Sequence, residues 1–322
     1  MFVKKFIEKN KNLLSYLRFI YFNRKFRKTK PKNIYINYNR KEIKKIYDFK
    51  KNSKILFLQT QVGRGGAKWL MDILNSIDDV TAFGERNPKQ ESYFRYCNSH
   101  NVKIYNEQFL DLLKSEIISD WENGNISYVS SPYFSHGIKY LYENLKPKKL
   151  IILVPSAEKL MNSFKNKGWY KDGVKSDINQ FFDTINKFDS HFYGRIINLS
   201  VSKEKFNSLS QIGKISLFIS TTLERIYNEI STIDKNKILI FRINEADQNY
   251  EYFKKFVSKL GLELNINKKK FLSFKKRTAA NHENLNIFLS EEEKIECKKY
   301  LSNYNFYEKK FLQEFDSRNI SK

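Results

Sequence analysis

The stretch Lys54-Ile-Leu-Phe-Leu-Gln-Thr-Gln-Val-Gly-Arg-Gly-Gly-Ala-Lys-Trp69 decides the fold. Its first half, residues 54–60, is a continuous apolar run, which is typical of a parallel strand buried on both faces. Glycines follow at once, and residues 68–74 then place apolar side chains at helical spacing. The stretch therefore predicts a strand, a glycine turn and a helix in succession.

Further apolar runs alternate with helical patterns along the chain, at residues 126–129, 150–154 and 238–243. This alternation predicts an α/β fold, with a parallel sheet flanked by helices. Long amphipathic patterns over residues 177–231 predict two or more helices that cover one face. The basic residues Lys268 to Arg277 are interpreted as a loop. Ser290 with Glu293 three positions later predicts a capping box that opens a final helix.

The chain divides into a basic N-terminal extension, residues 1–50, and an α/β domain, residues 51–322. The extension interleaves cations with aromatic side chains, as in Phe19-Ile-Tyr-Phe22. Such a segment either lies as a helix on an anionic membrane surface or packs on the domain.

The charge balance is strongly basic, with 59 Lys and Arg against 35 Asp and Glu and a net charge of +24. A positive surface attracts nucleic acids, membranes, acidic glycans and nucleotides alike. A compositional bias towards Lys, Asn and Ile explains the same charge without any ligand. Because the sequence has no recognised nucleic-acid motif, no specific nucleic-acid partner is expected.

The two cysteines, Cys97 and Cys297, are far apart and form no CxxC or Cys/His cluster. This pattern indicates neither a disulfide framework nor a zinc site. The apolar runs are only strand-length, well short of the roughly 20 residues that cross a bilayer. The N-terminus also lacks the features of a signal peptide. We therefore expect a cytoplasmic protein, with peripheral membrane contact through residues 1–50 as the open alternative.

The glycine turn predicts an anion site. Gly63, Gly65 and Gly66 allow successive backbone N–H groups to converge on an anion, at the positive end of the following helix. Arg64 and Lys68 add two cations that can offset charge on a transferred group. The Lys-Ser or Lys-Thr pair that holds magnesium in nucleotide triphosphatases is absent, so no metal is expected. A tight strand-to-helix turn without a ligand is the alternative.

The segment Arg64-Gly-Gly-Ala-Lys-Trp69 resembles the 5′-phosphosulfate loop of sulfotransferases that use 3′-phosphoadenosine 5′-phosphosulfate (PAPS). The resemblance implies a P-loop-type sulfotransferase fold with helical additions. It also implies that Arg64 contacts the sulfuryl and 5′-phosphate oxygens, that the backbone from Gly65 through Ala67 to Lys68 cradles the phosphate, and that Trp69 stacks near adenine. Gly65 and Ala67 replace the family's Ser and Thr hydroxyls. Trp69 as a core residue is the alternative.

A second segment, residues 149–170, resembles the family's 3′-phosphate strand and helix. The resemblance places Ser163 on the 3′-phosphate, whereas the family's Arg falls on Pro155 or Val154. Arg277 or Lys276 is the expected replacement, since the family folds a basic loop over this phosphate. Residues 237–247 resemble a late strand of architectural importance, so the resemblance extends over about residues 54–285.

Sulfuryl transfer needs a base within hydrogen-bond reach of the attacking group. Glu85 follows the apolar run at residues 80–83, where several glycan-modifying members of the family carry a catalytic Glu. His100 and His136 are alternatives, because a neutral imidazole suits this task near pH 7. Trp169 and Tyr170 are either core residues or a wall of the acceptor cleft.

The resemblance implies transfer of a sulfuryl group from PAPS to a hydroxyl or amine of a glycan or lipid-linked acceptor, without a metal. Two other hypotheses remain open. The departures at Gly65, Ala67 and Pro155 suit a catalytically impaired sulfotransferase-like protein that binds an anionic ligand. The charge alone suits a basic nucleic-acid-associated protein.

Overall fold

The computed structural model describes residues 39–99, 103–170, 201, 203–246, 249–279 and 290–316. Within these residues a five-stranded sheet has the order β2-β3-β1-β4-β5, and every neighbouring pair is parallel. The strands are β1 Ile55–Gln61, β2 Val80–Gly84, β3 Ile126–Ser130, β4 Lys149–Leu153 and β5 Ile238–Phe241. The predicted α/β fold with a parallel sheet is confirmed, and the first predicted strand lies at the centre of the sheet.

Helices flank the sheet. They are α1 Arg40–Lys50, α2 Ala67–Leu74, α3 Pro88–Ser99, α4 Asn106–Asn123, α5 Ile138–Leu145, α6 Ala157–Asn166, α7 Lys203–Asn207, α8 Gln211–Ile230, α9 Ile243–Ala246, α10 Tyr250–Leu260, α11 Lys268–Ala279 and α12 Glu291–Phe311. Short 3-10 helices cover Lys103–Tyr105, Pro132–Ser135 and Lys235–Lys237, and a π-helical turn covers Leu312–Asp316.

Two apolar cores lie on opposite faces of the sheet, since alternate side chains of a strand point to opposite sides. Leu56 and Leu58 belong to the larger core, together with residues of α4, α6 and α8. Phe57 belongs to the smaller core, together with residues of α2, α10 and α11. Because β1 is buried from both sides, its uninterrupted apolar sequence is explained.

The interpretation of residues 268–277 as a loop is wrong, because they belong to the helix α11. Its anchor is Phe271, which is fully buried. The Phe271 ring lies 5.6 Å from the ring of Trp69 and 5.2 Å from that of Phe253, measured between centroids. One aromatic side chain in the core thus holds a helix whose other residues are mostly basic.

The predicted capping box at the last helix is confirmed. Ser290 accepts a hydrogen bond from the backbone N–H of Glu293, whose carboxylate accepts from the N–H of Ser290. The helix α12 that begins there packs along α8. Its Tyr304 hydroxyl donates to the carbonyl oxygen of Pro155 at 2.6 Å. This contact fixes the chain directly after β4.

The described part of the N-terminal extension packs on the domain. Tyr47 of α1 is fully buried, and its hydroxyl donates to the carbonyl oxygen of Leu145 at 2.8 Å. The predicted contact of the extension with a membrane concerns mainly residues 1–38, which lie outside the described residues. Residues 177–200 of the predicted helical segment lie outside them as well, whereas α7 and α8 match its second part. No helix in the described ranges has the length and hydropathy to span a bilayer.

Candidate active site

A cavity of about 280 Å³ opens at the carboxyl ends of the strands. The chain that follows β1, β2 and β3 contributes one side of it, and α3, α6 and α8 with their flanks contribute the other. The carboxyl edge of a parallel sheet is where α/β proteins bind ligands. The lining residues are Val62, Gly63, Arg64, Glu85, Arg95, Pro132, Tyr133, Phe164, Lys167, Trp169 and Phe218.

The glycine turn presents backbone N–H groups without protein partners. From Gly63 to Trp69, none of these groups donates to a backbone carbonyl of the described residues, and the first such bond is made by Leu70, which donates to Gly66. Gly66 caps α2 with a left-handed backbone, at φ 84°. A row of free N–H groups at a helix N-terminus favours an anion. The turn therefore suits an anionic group.

The two departures from the family pattern at Gly65 and Pro155 are in contact with each other. A Cβ atom on Gly65 would lie 3.1 Å from Cγ of Pro155 and 3.0 Å from Oε1 of Gln61. Pro155 is buried and occupies the space beside the turn. A side chain at residue 65 would therefore need its neighbours to move. The lack of a hydroxyl at residue 65 and the presence of a proline at residue 155 are thus linked by packing.

Arg64 lies at the cavity with a left-handed backbone, at φ 54°. Its Nε–H donates to Oγ of Ser163 at 3.1 Å. Partial burial lowers the pKa of Arg64, and the nearby Glu85 carboxylate opposes this shift. The structure thus brings together Arg64 and Ser163, which the sequence assigned to two different phosphates of the ligand.

Glu85 also lines the cavity, directly after β2. Its backbone is also left-handed, at φ 51°, and its N–H donates to the carbonyl oxygen of Ser130 at 3.2 Å. A non-glycine residue in this conformation costs about 1–2 kcal/mol, and such residues cluster at functional sites. Burial lowers the pKa of both Arg64 and Arg95, and Glu85 lies close enough to oppose this shift in each.

Trp69 and Lys68 do not line the cavity. Trp69 is 4% exposed, and its ring meets those of Phe253 and Phe271 edge to face. Tertiary packing thus places this ring in the smaller core, which is the alternative to stacking near adenine. Lys68 is exposed on the first turn of α2, one position after Ala67, and its side chain stays available to an anion there.

The remaining predicted residues are only partly placed. Val154 and Pro155 are buried, so no cation extends from the end of β4. The side chains of Lys276 and Arg277 lie outside the described residues, although their backbone belongs to α11. His100 also lies outside them. His136 is described, but it is 4% exposed and is absent from the cavity wall.

The lining residues that were missed from the sequence include Arg95, Tyr133, Lys167 and Phe218. Arg95 belongs to α3, and Phe218 belongs to α8. Tyr133 lies in the short helix after β3, and Lys167 ends α6. No local motif marks any of them, because they meet only when separate elements pack together.

A cluster of buried charges supports the turn after β2. The Arg86 guanidinium pairs with Asp120 at 2.5 Å and lies 3.9 Å over the Phe83 ring. The Asn87 side chain donates to Glu116, while its backbone N–H donates to Glu91 at 3.1 Å.

Burial raises the pKa of two of these carboxyl groups, that of Glu91 to about 7 and that of Glu116 to about 8. Glu91 also accepts a hydrogen bond from the Ser131 hydroxyl at 2.5 Å. Desolvation favours the neutral acid in each case. The residues next to Glu85 are thus held by partners inside the protein.

Within the residues that the structure describes, no group of three or more His, Cys, Asp and Glu is arranged to hold a metal ion.

No protein-family model matches the chain, and no curated protein matches its sequence. Solved structures do match it. One is a sulfotransferase from Alicyclobacillus acidocaldarius, with a TM-score of 0.45, 9% identity and coverage of 81% of this chain and 96% of that chain. Another is the sulfotransferase domain from the curacin biosynthetic pathway, with a TM-score of 0.37, 8% identity and coverage of 76% and 96%. Because fewer than one residue in ten is identical, the chemistry of the cavity depends on this chain's own side chains.

Proposed function

We propose that this protein transfers a sulfuryl group from PAPS to a hydroxyl or amine of a glycan or lipid-linked acceptor. PAPS would supply the sulfuryl group by cleavage of its bond to the 5′-phosphate oxygen, and 3′-phosphoadenosine 5′-phosphate would leave. The observation that carries the proposal is the glycine turn, whose N–H groups have no backbone partners among the described residues and which borders, through Gly63 and Arg64, a cavity that Glu85 also lines. An anion cradle and a carboxylate on one cavity are what a transfer from an anionic donor to a neutral nucleophile requires.

The backbone from Gly63 to Lys68 would hold the phosphosulfate end of the donor, at the N-terminus of α2. Arg64 would offset the negative charge that develops on the donor side, because a guanidinium binds phosphate and sulfate oxygens through several N–H groups. The bond from Arg64 to Ser163 keeps this guanidinium beside the turn. Lys68 would add a second cation at the same helix end.

Glu85 would accept the proton of the attacking hydroxyl or amine. Its left-handed backbone is a strained arrangement that the surrounding contacts must maintain, as expected of a residue with a fixed catalytic position. Of the non-glycine residues with positive φ in the described ranges, Arg64 and Glu85 both line the cavity, and Tyr170 follows the lining residue Trp169.

The test combines purified protein with labelled PAPS and a library of saccharide and lipid-linked acceptors. Arg64→Ala should lower the transfer rate about 100-fold, because it removes a donor to developing charge. Glu85→Gln should lower the rate by at least about 100-fold and leave binding of the desulfated nucleotide unchanged. Arg40→Ala, which removes an exposed arginine of α1, is the matched control and should leave transfer unchanged. Normal transfer by both cavity variants would refute the roles given to Arg64 and Glu85, and an absence of transfer by the wild type to every acceptor would refute the proposed activity.

The loss of family side chains at Gly65, Ala67 and Pro155 favours one alternative, a protein that binds an anionic ligand without transfer. Calorimetry with 3′-phosphoadenosine 5′-phosphate separates the two functions. Nucleotide binding that Arg64→Ala weakens, with no transfer to any acceptor in the library, would establish the alternative.

A further inference from the structure

Part of the cavity has no role in the proposed transfer. Phe164, Trp169 and Phe218 form an aromatic wall, with centroid distances of 4.3 Å for Phe164 and Trp169 and 5.6 Å for Phe164 and Phe218. Arg95 and Lys167 line the same cavity. This side of the cavity combines apolar faces with two cations.

The size of the cavity limits what can enter it. At about 280 Å³ it lies just below the usual range for small-molecule sites, about 300–1,000 Å³. One ring-sized group fits such a space, whereas a whole oligosaccharide does not. Because aromatic side chains present flat apolar faces, a sugar ring or an aryl ring can pack against this wall.

The charge of the cavity wall favours an anion. Its lining includes three cations, Arg64, Arg95 and Lys167, and a single carboxylate, Glu85. Arg95 is 2% exposed, and its guanidinium lies 5.0 Å from the centroid of the Tyr133 ring. Burial lowers the pKa of Arg95 to about 10, so it remains a cation at neutral pH. A cation at a buried cavity wall strengthens any charge-assisted hydrogen bond that a ligand makes there.

We propose that the acceptor carries an anionic group, such as a carboxylate, on the ring that enters this cavity, and that Arg95 and Lys167 select it. This inference rests on the proposed transfer from PAPS and adds one requirement to its acceptor, an anionic group, which a hydroxyaryl acid can meet as well as a glycan. Arg64 serves the donor side, which leaves Arg95 and Lys167 for the acceptor. Two sources offer the same chemistry, an acidic sugar and a hydroxyaryl acid.

The experiment uses the fluorescence of Trp169 to measure binding in the absence of any donor. The chain contains three tryptophans, and Trp69 and Trp121 are buried in the cores, so Trp169 is the one on the cavity wall. The probes are two acids, each paired with a neutral analogue: glucuronate with glucose, and 4-hydroxyphenylacetate with its amide. At least one acid should quench the fluorescence with a dissociation constant tenfold or more below that of its neutral analogue. The acid that does so identifies the source.

Substitutions then test the two cations. Arg95→Gln should abolish the preference for the acid, Arg95→Lys should retain part of it, and Lys167→Gln should reduce it about threefold. Trp169→Phe should remove the signal. If Arg95→Gln fails to fold, Lys167→Gln still tests the charge, because this side chain is exposed. The inference would be overturned if the acids and their neutral analogues bound equally, or if none of the four probes quenched the fluorescence. It would also be overturned if the preference for the acid were unchanged in Lys167→Gln and in any folded Arg95→Gln.

A last arm separates this inference from the proposed function. Saturating 3′-phosphoadenosine 5′-phosphate should leave binding of the acid intact, since the donor and the acceptor occupy different parts of the site. Competition between them would overturn the inference, because the cations would then belong to the donor. Binding of the acid without any sulfuryl transfer to it from PAPS would count against the proposed function alone.

Discussion

The turns after β1 and β2 lie at the same edge of the sheet, with β3 between their strands, and each contains a non-glycine residue with a left-handed backbone. They are stabilised in different ways. The turn at Arg64 is surrounded by glycines and leaves its backbone N–H groups open. The turn at Glu85 continues into Arg86 and Asn87, whose side chains are bound to buried carboxyl groups. The first turn is thus arranged to receive a ligand, whereas the second is fixed from within.

Removing one arginine from each turn should reveal the largest difference in stability between them. Arg86→Leu should lower the free energy of unfolding by about 3–5 kcal/mol, because it leaves Asp120 buried without its cation. Arg64→Leu should cost less than about 1 kcal/mol, since it loses an exposed hydrogen bond to Ser163. Urea unfolding at pH 7 measures both variants.

The pH dependence of the Arg86→Leu cost identifies its cause. Protonation of Asp120 removes the unpaired charge, so the difference from the wild type should shrink as the pH falls towards 4. Arg86→Lys keeps a cation and should recover part of the stability. Equal losses for Arg64→Leu and Arg86→Leu would contradict the distinction between the two turns.

The two turns also differ in how far the sequence predicts them. The first is local, because the apolar run of β1, the glycines and the start of α2 follow one another within residues 54–74. Its strand and helix were predicted, and so was the capping box at Ser290, which needs only four residues. The second turn is not local, since the partners of Arg86 and Asn87 lie in α4, about 30 residues away.

The same reason explains which other features of the structure could not be predicted from local sequence. The position of Trp69 and the helix α11 both depend on Phe271, which is some 200 residues away from Trp69 along the chain. The cavity wall draws Arg95, Tyr133, Lys167 and Phe218 from four elements. Local patterns predict strands, turns and caps, whereas the identity of a cavity wall depends on packing between distant segments.

A second prediction concerns the buried acids below the turn after β2. Burial raises the folded-state pKa of Glu91 to about 7, above the ordinary value of a glutamate. Between the unfolded and folded pKa values the native state binds more protons, so stability is full at acidic pH and falls as the pH rises through 7. For Glu91 this loss amounts to about 3 kcal/mol. Urea unfolding at intervals from pH 4.5 to 8.5 measures it.

Glu91→Gln separates this group from the others. Its amide can accept from the N–H of Asn87 and donate to the hydroxyl of Ser131, so both contacts survive without a titrating proton. The variant should make the decline in stability shallower, with the part due to Glu116 remaining, and it should be more stable than the wild type at pH 8. Glu143→Gln removes an exposed glutamate on α5 and should leave the pH profile unchanged. An identical slope in wild type and Glu91→Gln would show that Glu91 does not titrate in this range.

The smallest expected effect tests the packing of the first turn. Gly65→Ala should cost about 1 kcal/mol, because its Cβ would lie 3.1 Å from Cγ of Pro155. In a Pro155→Ala background that contact is removed, and the same substitution should become neutral or stabilise by about 0.5 kcal/mol, since alanine restricts the unfolded chain more than glycine does. Thermal unfolding of the four proteins gives the coupling between the two sites.

An equal cost in both backgrounds would mean that the contact with Gln61 Oε1, 3.0 Å from the same Cβ, causes the loss of stability. If the stability change caused by Gly65→Ala instead reversed its sign in the Pro155→Ala background, the proline would be what excludes a side chain at residue 65. The first turn could then accept a hydroxyl side chain there only where Pro155 is replaced.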